Sequence, residues 1–258
     1  MSLASLLSNP WLQDIAALFV TFAVALAWLR FNDFLAQRRL LSRDLSRKLI
    51  HIGTGPLYVL CWLLYSDGPQ SRWLAALAPA TITLQFMLIG LGVIKDEGAV
   101  QAMSRSGDHR ELLTGPTQYG IVFVLMTLVF WLHTPVGIVA LMLLCAGDGM
   151  ADVIGRRFGR ARLPFNPRKS WAGSIAMFTA GFLVSLLYVA LCARQEAFTV
   201  ELAASIAPVL FIALAATFVE AISGHDVDNV TITVSALGMA WLLTDVAGLW
   251  PVPFVPSP

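Results

Sequence analysis

The sequence predicts an all-α fold, a polytopic helical bundle with about eight transmembrane helices, forming a single integral membrane domain over residues 1–258. Hydrophobic residues make up 57% of the chain and charged residues only 13%, whereas soluble domains carry about 25% charged residues. Long apolar runs recur along the chain, and basic residues gather between alternate runs. These three observations exclude a soluble globular domain.

The apolar runs are mostly long enough to cross about 30 Å of hydrocarbon at about 1.5 Å per residue. In chain order they cover residues 15–31, 50–66, 73–94, 118–133, 137–154, 173–193, 203–222 and 230–250. The first run has no basic residue before it, which is the reverse of a secretory signal peptide, so we expect an uncleaved anchor. Cys61, Cys145 and Cys192 each lie inside a run, which predicts buried thiols rather than disulfides or a zinc site.

The Lys and Arg residues predict the orientation, because cytoplasmic loops accumulate them. With the amino terminus outside, all of the 17 Lys and Arg residues except Arg72 and Arg194 fall on the inner side. The proline-rich end, residues 250–258, then lies outside. We therefore expect the polar chemistry of the chain to face the cytoplasm.

The longest polar motif on the inner side is GDGMADVIGRRFGRARLPFNPRKSWAGS, Gly147–Ser174. Asp148 and Asp152 are four residues apart, so on a helix they share one face, and Arg156 follows one turn later. An acid at mid-membrane costs about 2.5–3.5 kcal/mol, so both need partners. Either they pair with Arg156 at the end of the helix, or they hold a metal-bound polyphosphate, since Mg²⁺ takes one or two carboxylates plus phosphate oxygens. The basic side chains of the motif favour the second interpretation.

Glycines of the same motif offer places for a phosphate group to approach the backbone. Gly155 and Gly159 lack side chains, and Gly173 and Ser174 follow Lys169 at the start of the next helix, where backbone amides can hold an anion. Glycines are also common in membrane helix packing. The spacing matches neither a Walker A loop nor a dinucleotide-binding motif.

Two further polar groups lie on the inner side. In VEAISGHDVDNVTI, oxygen ligands come from Glu220, Asp226, Asp228 and Asn229, although the segment could also be an ordinary helix-connecting turn. Glu220 is harder to explain as a turn residue, because it ends an apolar helix.

The other group is RKLIHIGTGP, where Lys48 and His51 lie within one helical turn. Lys48 is either a functional cation or a topology marker. His51 is either catalytic or a packed histidine near a helix end.

The motifs together resemble the phytol and farnesol kinases, which are relatives of dolichol kinases and, more distantly, of CDP-diacylglycerol synthases. The Gly147–Ser174 block, RKLIHIG, ELLTGPTQYG (Glu111–Gly120) and EAISGHDVDN occur in the family's order between about residues 47 and 229. One departure is that Val-Thr-Ile-Thr follows Asp228-Asn229, where the family usually has a proline.

The resemblance implies transfer of the γ-phosphoryl group from CTP to an isoprenoid alcohol such as phytol, farnesol, geranylgeraniol or a polyprenol, with Mg²⁺ as the cofactor. Expected partners are CTP, the lipid alcohol and membrane lipids, with no nucleic acid. The catalytic candidates are Asp148, Asp152, Lys169 and His51, and the metal candidates are Asp148, Asp152, Glu220 and Asp228. Expected contacts to the nucleotide come from Lys48, Gly155, Arg156, Arg157, Gly159, Asn166, Lys169, Ser170, Gly173, Ser174, Asp228 and Asn229.

Three other functions remain open at the level of sequence. A cytidylyltransferase making a CDP-lipid would need the same metal and triphosphate contacts, but it releases pyrophosphate instead of CDP. A transporter could use intramembrane acids, although such acids tend to lie near the bilayer midplane. A lipid-binding scaffold would leave the paired acids unexplained.

Overall fold

We describe residues 9–224 and 227–255 of a computed structural model of the chain. Packing divides the chain into two compact units. One unit contains the residues up to Ile50 together with Leu57–Leu128, and the other contains His51–Pro56 together with the residues from Val129 onward. The fold is a helical membrane bundle, as the sequence predicts.

Helices make up the first unit. They are α1 (Pro10–Gln37), α2 (Arg43–Trp62), α3 (Ser71–Gly90), α4 (Glu97–Met103), a 3₁₀ turn (His109–Leu113) and α5 (Gly115–Val129). Residues 51–56 of α2 and the last residue of α5 belong to the second unit. Asn9 and Ser42 cap the first two helices by accepting hydrogen bonds from backbone amides of the first turn.

The first helix has the polarity of a helix in lipid. Its buried residues, Asp14, Ala17, Thr21 and Asn32, are polar or small, whereas Phe19 is 70% exposed. A helix in a soluble protein buries its apolar stripe instead. The Asp14 carboxylate accepts hydrogen bonds from three residues, Ser66, Gln70 and Ser71, so polar contacts hold α1 in place.

Seven helical segments of the described residues are long and apolar enough to cross a membrane. Helix α2 is not among them, but it lies antiparallel along α1. Near the start of α1, Asp14 accepts from the Ser66 amide at 2.7 Å, just beyond the end of α2. Further along α1, the Trp28 indole donates to the Ile50 carbonyl oxygen at 3.4 Å. These contacts place α2 beside α1 from Ile50 to the end of α2, so a crossing by α2 is consistent with the predicted count of about eight.

The second unit contains a continuous helix, the central helix, and three helices around it. The central helix consists of α6 (Pro135–Met142), a π-helical turn (Leu143–Asp148) and α7 (Gly149–Phe158). After it come β1 (Arg162–Leu163), β2 (Asn166–Ser170), α8 (Trp171–Arg194), α9 (Leu202–Ile222), α10 (Asp228–Trp241) and a second π turn (Leu242–Val246). The two strands pair antiparallel as a hairpin.

The central helix is buried far more than its neighbours. In its most apolar 18-residue stretch, 78% of the residues are buried, against 33% in the corresponding stretches of α8, α9 and α10. All three of those helices pack against it. The acids of the central helix, Asp148 and Asp152, are therefore surrounded mainly by protein rather than by lipid.

Glycines allow the central helix and α8 to approach closely. A Cβ atom added to Gly181 would lie 2.6 Å from Leu143 Cδ2 and 3.5 Å from Gly147 Cα. One added to Gly173 would lie 3.0 Å from the Ala151 carbonyl oxygen. Small residues at helix crossings are typical of membrane proteins. This contact brings the start of α8 against α7, where the paired acids lie.

The opposite end of the second unit is closed by the chain's final described segment. The buried Trp250 donates from its indole to Ser205 Oγ at 3.2 Å, at the start of α9. Thr134, before α6, donates to the Pro253 carbonyl oxygen at 2.8 Å. The three cysteines are buried, which confirms the prediction of buried thiols.

Candidate active site

Asp148 lies where the π turn passes into α7, and it is 6% exposed. Across the packing, Nε2 of His51 lies 3.4 Å from Asp148 Oδ2. The same nitrogen is 3.1 Å from the carbonyl oxygen of Leu144. Because a carbonyl oxygen only accepts, Nε2 carries a proton in this contact. The structure thus brings together two of the catalytic candidates.

Asp152 lies one turn further along α7. Its Oδ1 accepts a hydrogen bond from Arg156 Nε at 2.8 Å. The pairing with Arg156, which was one of the two interpretations of these acids, therefore forms at Asp152. The Asp152 side chain is 16% exposed and that of Arg156 47%. An ion pair with so exposed a partner contributes little stability.

Lys169 and Glu220 form a buried ion pair. The Lys169 ammonium donates to Glu220 Oε1, and the two side chains are 18% and 3% exposed. Burial pulls the pKa of Lys169 down, but attraction and hydrogen bonding by Glu220 outweigh it, with help from Asp148 and Asp228, and raise that pKa. The charges of Asp148 and Asp152 also act on Glu220. Four acids and one lysine therefore share one electrostatic site.

The hairpin between α7 and α8 places Lys169. Asn166 donates from its side-chain amide to the Ala221 carbonyl oxygen at 2.9 Å and to that of Ser223 at 3.4 Å, at the end of α9. Ser170 caps α8 by accepting from the Gly173 amide at 3.2 Å. The sequence predicts that Asn166 and Ser170 contact the nucleotide. In the structure both have hydrogen-bond partners within the protein, and their contact with a nucleotide stays a prediction.

Other predicted residues lie around this site or apart from it. Gly155 and Gly173 lie where α7 and α8 approach, and Gly159 faces Ser170, so packing also accounts for them. Asp228 and Asn229 begin α10. Arg157 lies over the ring of Phe158, Lys48 belongs to the first unit, and Asp226 lies outside the described residues.

In α8 and α9, three buried side-chain oxygen atoms lack a hydrogen-bond partner among the described residues: Ser174 Oγ, Thr217 Oγ1 and Glu220 Oε2. Unsatisfied buried polar atoms are rare in proteins and often mark a place for an ion, a water molecule or a ligand. Thr217 was missed by the sequence analysis. It lies one turn before Glu220 on α9, and a hydroxyl one turn from an intramembrane acid is the signal that could have identified it.

Comparison with known proteins identifies the family. The chain is 41% identical over 234 residues to the probable chloroplastic phytol kinase 1 of Oryza sativa subsp. japonica, covering 90% of this chain and 74% of the relative. It is 41% identical over 237 residues to the chloroplastic farnesol kinase of Arabidopsis thaliana, covering 91% and 77%. A second rice relative, probable phytol kinase 2, is 48% identical over 177 residues, covering 69% and 58%. No family model and no solved structure match the chain.

The chain belongs to the phytol and farnesol kinase family. It is therefore a lipid alcohol kinase of the membrane, with an isoprenoid alcohol as its substrate. Such a kinase must bring a lipid hydroxyl to a charged phosphoryl donor. The acids and Lys169 at the end of the central helix are placed where apolar helix surface meets charged side chains.

The candidate site also suits Mg²⁺. Among the described residues there is no group of three or more His, Cys, Asp or Glu side chains arranged to hold a metal ion. Mg²⁺ bound to a nucleotide needs only one or two carboxylates, because phosphate oxygens and water complete its octahedron. The charge interactions among Asp148, Asp152 and Glu220, and the unsatisfied Glu220 Oε2, fit that requirement.

Proposed function

We propose that this kinase transfers the γ-phosphoryl group of CTP, with Mg²⁺, to the hydroxyl of an isoprenoid alcohol at the cytoplasmic membrane face. The observation that carries the proposal is the buried Lys169–Glu220 pair beside Asp148 and Asp152, at the end of membrane-crossing helices. Phosphoryl transfer asks a protein mainly for positioning and charge neutralisation. CTP is the donor that the family resemblance implies.

Each group of the site has a part in this reaction. The alcohol oxygen bonds to the γ-phosphorus, the bond from that phosphorus to the β,γ-bridging oxygen breaks, and CDP leaves with the electron pair. The hydroxyl proton passes to a carboxylate, for which Asp148 and Asp152 are the candidates. Lys169 and Arg156 offset phosphate charge, and Mg²⁺, held by Asp148 and Asp152 with Glu220 and Asp228 as further candidates, would neutralise the triphosphate.

The orientation follows from the charge distribution. All Lys and Arg residues except Arg72 and Arg194 lie on one side when eight segments cross the membrane, and that side faces the cytoplasm in most membrane proteins. A lipid alcohol reaches this face within the bilayer, and the nucleotide reaches it from solution. This arrangement supports a site at the inner ends of the helices.

The direct test supplies purified protein with Mg²⁺, a panel of lipid alcohols and γ-labelled CTP or ATP. We expect label in the lipid with CTP and release of CDP. Labelled pyrophosphate instead of labelled lipid would favour the cytidylyltransferase alternative, and stronger labelling from ATP would overturn the donor assignment.

The paired acids provide a residue-level test of the same proposal. Asp148→Asn and Asp152→Asn should each lower turnover by at least about a hundredfold, because a metal-bound triphosphate loses a charged ligand or a proton acceptor. Thermal unfolding should show that both variants fold. Asp245→Asn, an exposed acid in the second π turn, is the matched control and should keep normal turnover. Near-normal turnover in both site variants would refute the assignment.

A further inference from the structure

The Lys169–Glu220 pair joins two elements that meet only at this end of the second unit. Lys169 belongs to β2 of the hairpin, and Glu220 lies in the last turn of α9. Asn166 reinforces the junction through its bonds to Ala221 and Ser223. The position of the lysine therefore depends on what its ammonium group binds at the end of α9.

Only one of the two Glu220 carboxylate oxygens accepts a hydrogen bond from the described residues. Oε1 accepts from Lys169, while Oε2 is buried and has no hydrogen-bond partner among the described residues. The residue is 2% exposed. A buried carboxylate with an unsatisfied oxygen is costly, and here the lysine is its neutralising contact. An anion that enters the site would therefore compete with this carboxylate for the lysine ammonium group.

The same site supplies a reason for such an exchange. A lysine ammonium has three donors and no fixed plane, so a phosphate oxygen can replace or share a carboxylate oxygen at small geometric cost. Asp148 and Asp152 repel the Glu220 carboxylate. Their repulsion makes the negative charge of Glu220 less favourable at this position. Asp148 and Asp228 also attract Lys169, so negative charges other than that of Glu220 act on its ammonium group.

We infer that Glu220 is a positioning residue that holds Lys169 in the nucleotide-free enzyme and yields it to a phosphate group of the entering nucleoside triphosphate. This inference rests on the proposed function, since it takes the anion to be a nucleotide. The carboxylate competes with the phosphate for one ammonium group. Removing the carboxylate therefore strengthens nucleotide binding in the absence of metal, although Glu220 belongs to the site.

The test is a calorimetric titration of detergent-solubilised protein with CTP in EDTA. Glu220→Gln should bind metal-free CTP on the order of tenfold more tightly than wild type, within the range of coupling energies between contacting residues. Glu201→Gln, at the exposed opposite end of α9, is the matched control and should leave the affinity unchanged.

A second background separates the lysine contact from simple loss of negative charge. In Lys169→Gln protein, Glu220→Gln should change CTP affinity by less than about twofold, because the contact through which it acts is gone. An equal gain in both backgrounds, or no gain in either, would overturn the inference. If Glu220→Gln does not fold, Glu220→Asp decides the matter. It keeps the charge but draws it back from Lys169, so tighter binding supports the inference and unchanged binding refutes it.

The wild-type arm with Mg²⁺ distinguishes the two levels of proposal. Wild-type protein that binds no CTP with or without Mg²⁺ would contradict the proposed function itself. Wild-type protein that binds CTP, together with variants that fail the pattern above, would contradict only the role of Glu220.

Discussion

At the scale of single residues, His51 of α2 contacts the π turn that precedes α7. A π turn inserts one residue into the helix and changes which amide each carbonyl faces, and such turns are frequent at functional sites. His51 Nε2 donates to the carbonyl oxygen of Leu144 and lies 3.4 Å from Asp148 Oδ2, and both of these residues belong to the turn. We therefore regard His51 as a residue that positions Asp148, while a direct part in catalysis stays a prediction.

This role predicts different outcomes for two substitutions of His51. His51→Gln keeps an amide donor near the position of Nε2, so turnover should fall by less than about threefold. His51→Leu leaves the Leu144 carbonyl without this donor, which should lower the free energy of unfolding by about 1–3 kcal/mol and turnover by about tenfold or more. Turnover and thermal unfolding, measured side by side, check both. Equal turnover loss in the two variants would indicate that the imidazole itself takes part in the chemistry.

At the scale of elements, the glycines of the central helix and α8 set the distance between the acids and the hairpin. Gly173 is the third residue of α8, and an added Cβ there would meet the Ala151 carbonyl oxygen at 3.0 Å. A backbone atom cannot move aside as a flexible side chain does. A side chain at this position therefore requires α7 and α8 to separate by a few tenths of an ångström.

The same substitution in two helices should have opposite effects. Gly173→Ala should lower the free energy of unfolding by about 1–3 kcal/mol through overpacking and reduce turnover. Gly238→Ala in α10, where an added Cβ meets nothing within 4 Å, should raise it by about 0.5–1 kcal/mol through helix propensity. Thermal unfolding in detergent measures both. A Gly173→Ala protein as stable and active as wild type would show that the crossing tolerates a larger separation.

At the scale of the whole molecule, the crossing of α2 sets the sidedness of the long basic stretch around residues 38–48. If α2 did not cross, this stretch and the Gly147–Ser174 motif would lie on opposite faces. The antiparallel contacts of α2 with α1 argue that it crosses. Helix α8 has 24 residues and is about 36 Å long, enough to put its two ends on opposite sides.

Cysteine labelling in intact cells tests this topology. Single cysteines in place of the exposed residues Arg38, Asp108 and Arg160 should be protected from an impermeant thiol reagent, and those in place of Asp67 and Gln195 should be labelled. The native cysteines are buried, so the background should be low. Labelling at 160 from outside would overturn the cytoplasmic site, and matching results at 38 and 67 would show that α2 does not cross.

The sequence by itself determined the class of fold, the family and most of the polar residues of the site. Apolar run length, charge distribution and the Gly147–Ser174 motif are local properties, because a lipid environment demands continuous apolar helices and a motif keeps its residues in order. Asp148, Asp152, Lys169 and Glu220 could all be named from such patterns.

Only the tertiary structure decided which of these residues meet. The contacts of Lys169 with Glu220, of His51 with Asp148 and of Asn166 with the end of α9 join residues 51, 97 and 55 positions apart along the chain. No local spacing predicts such pairs, because they depend on how helices cross. The crossings depend on glycines such as Gly173 and Gly181, whose close contacts are with a neighbouring helix.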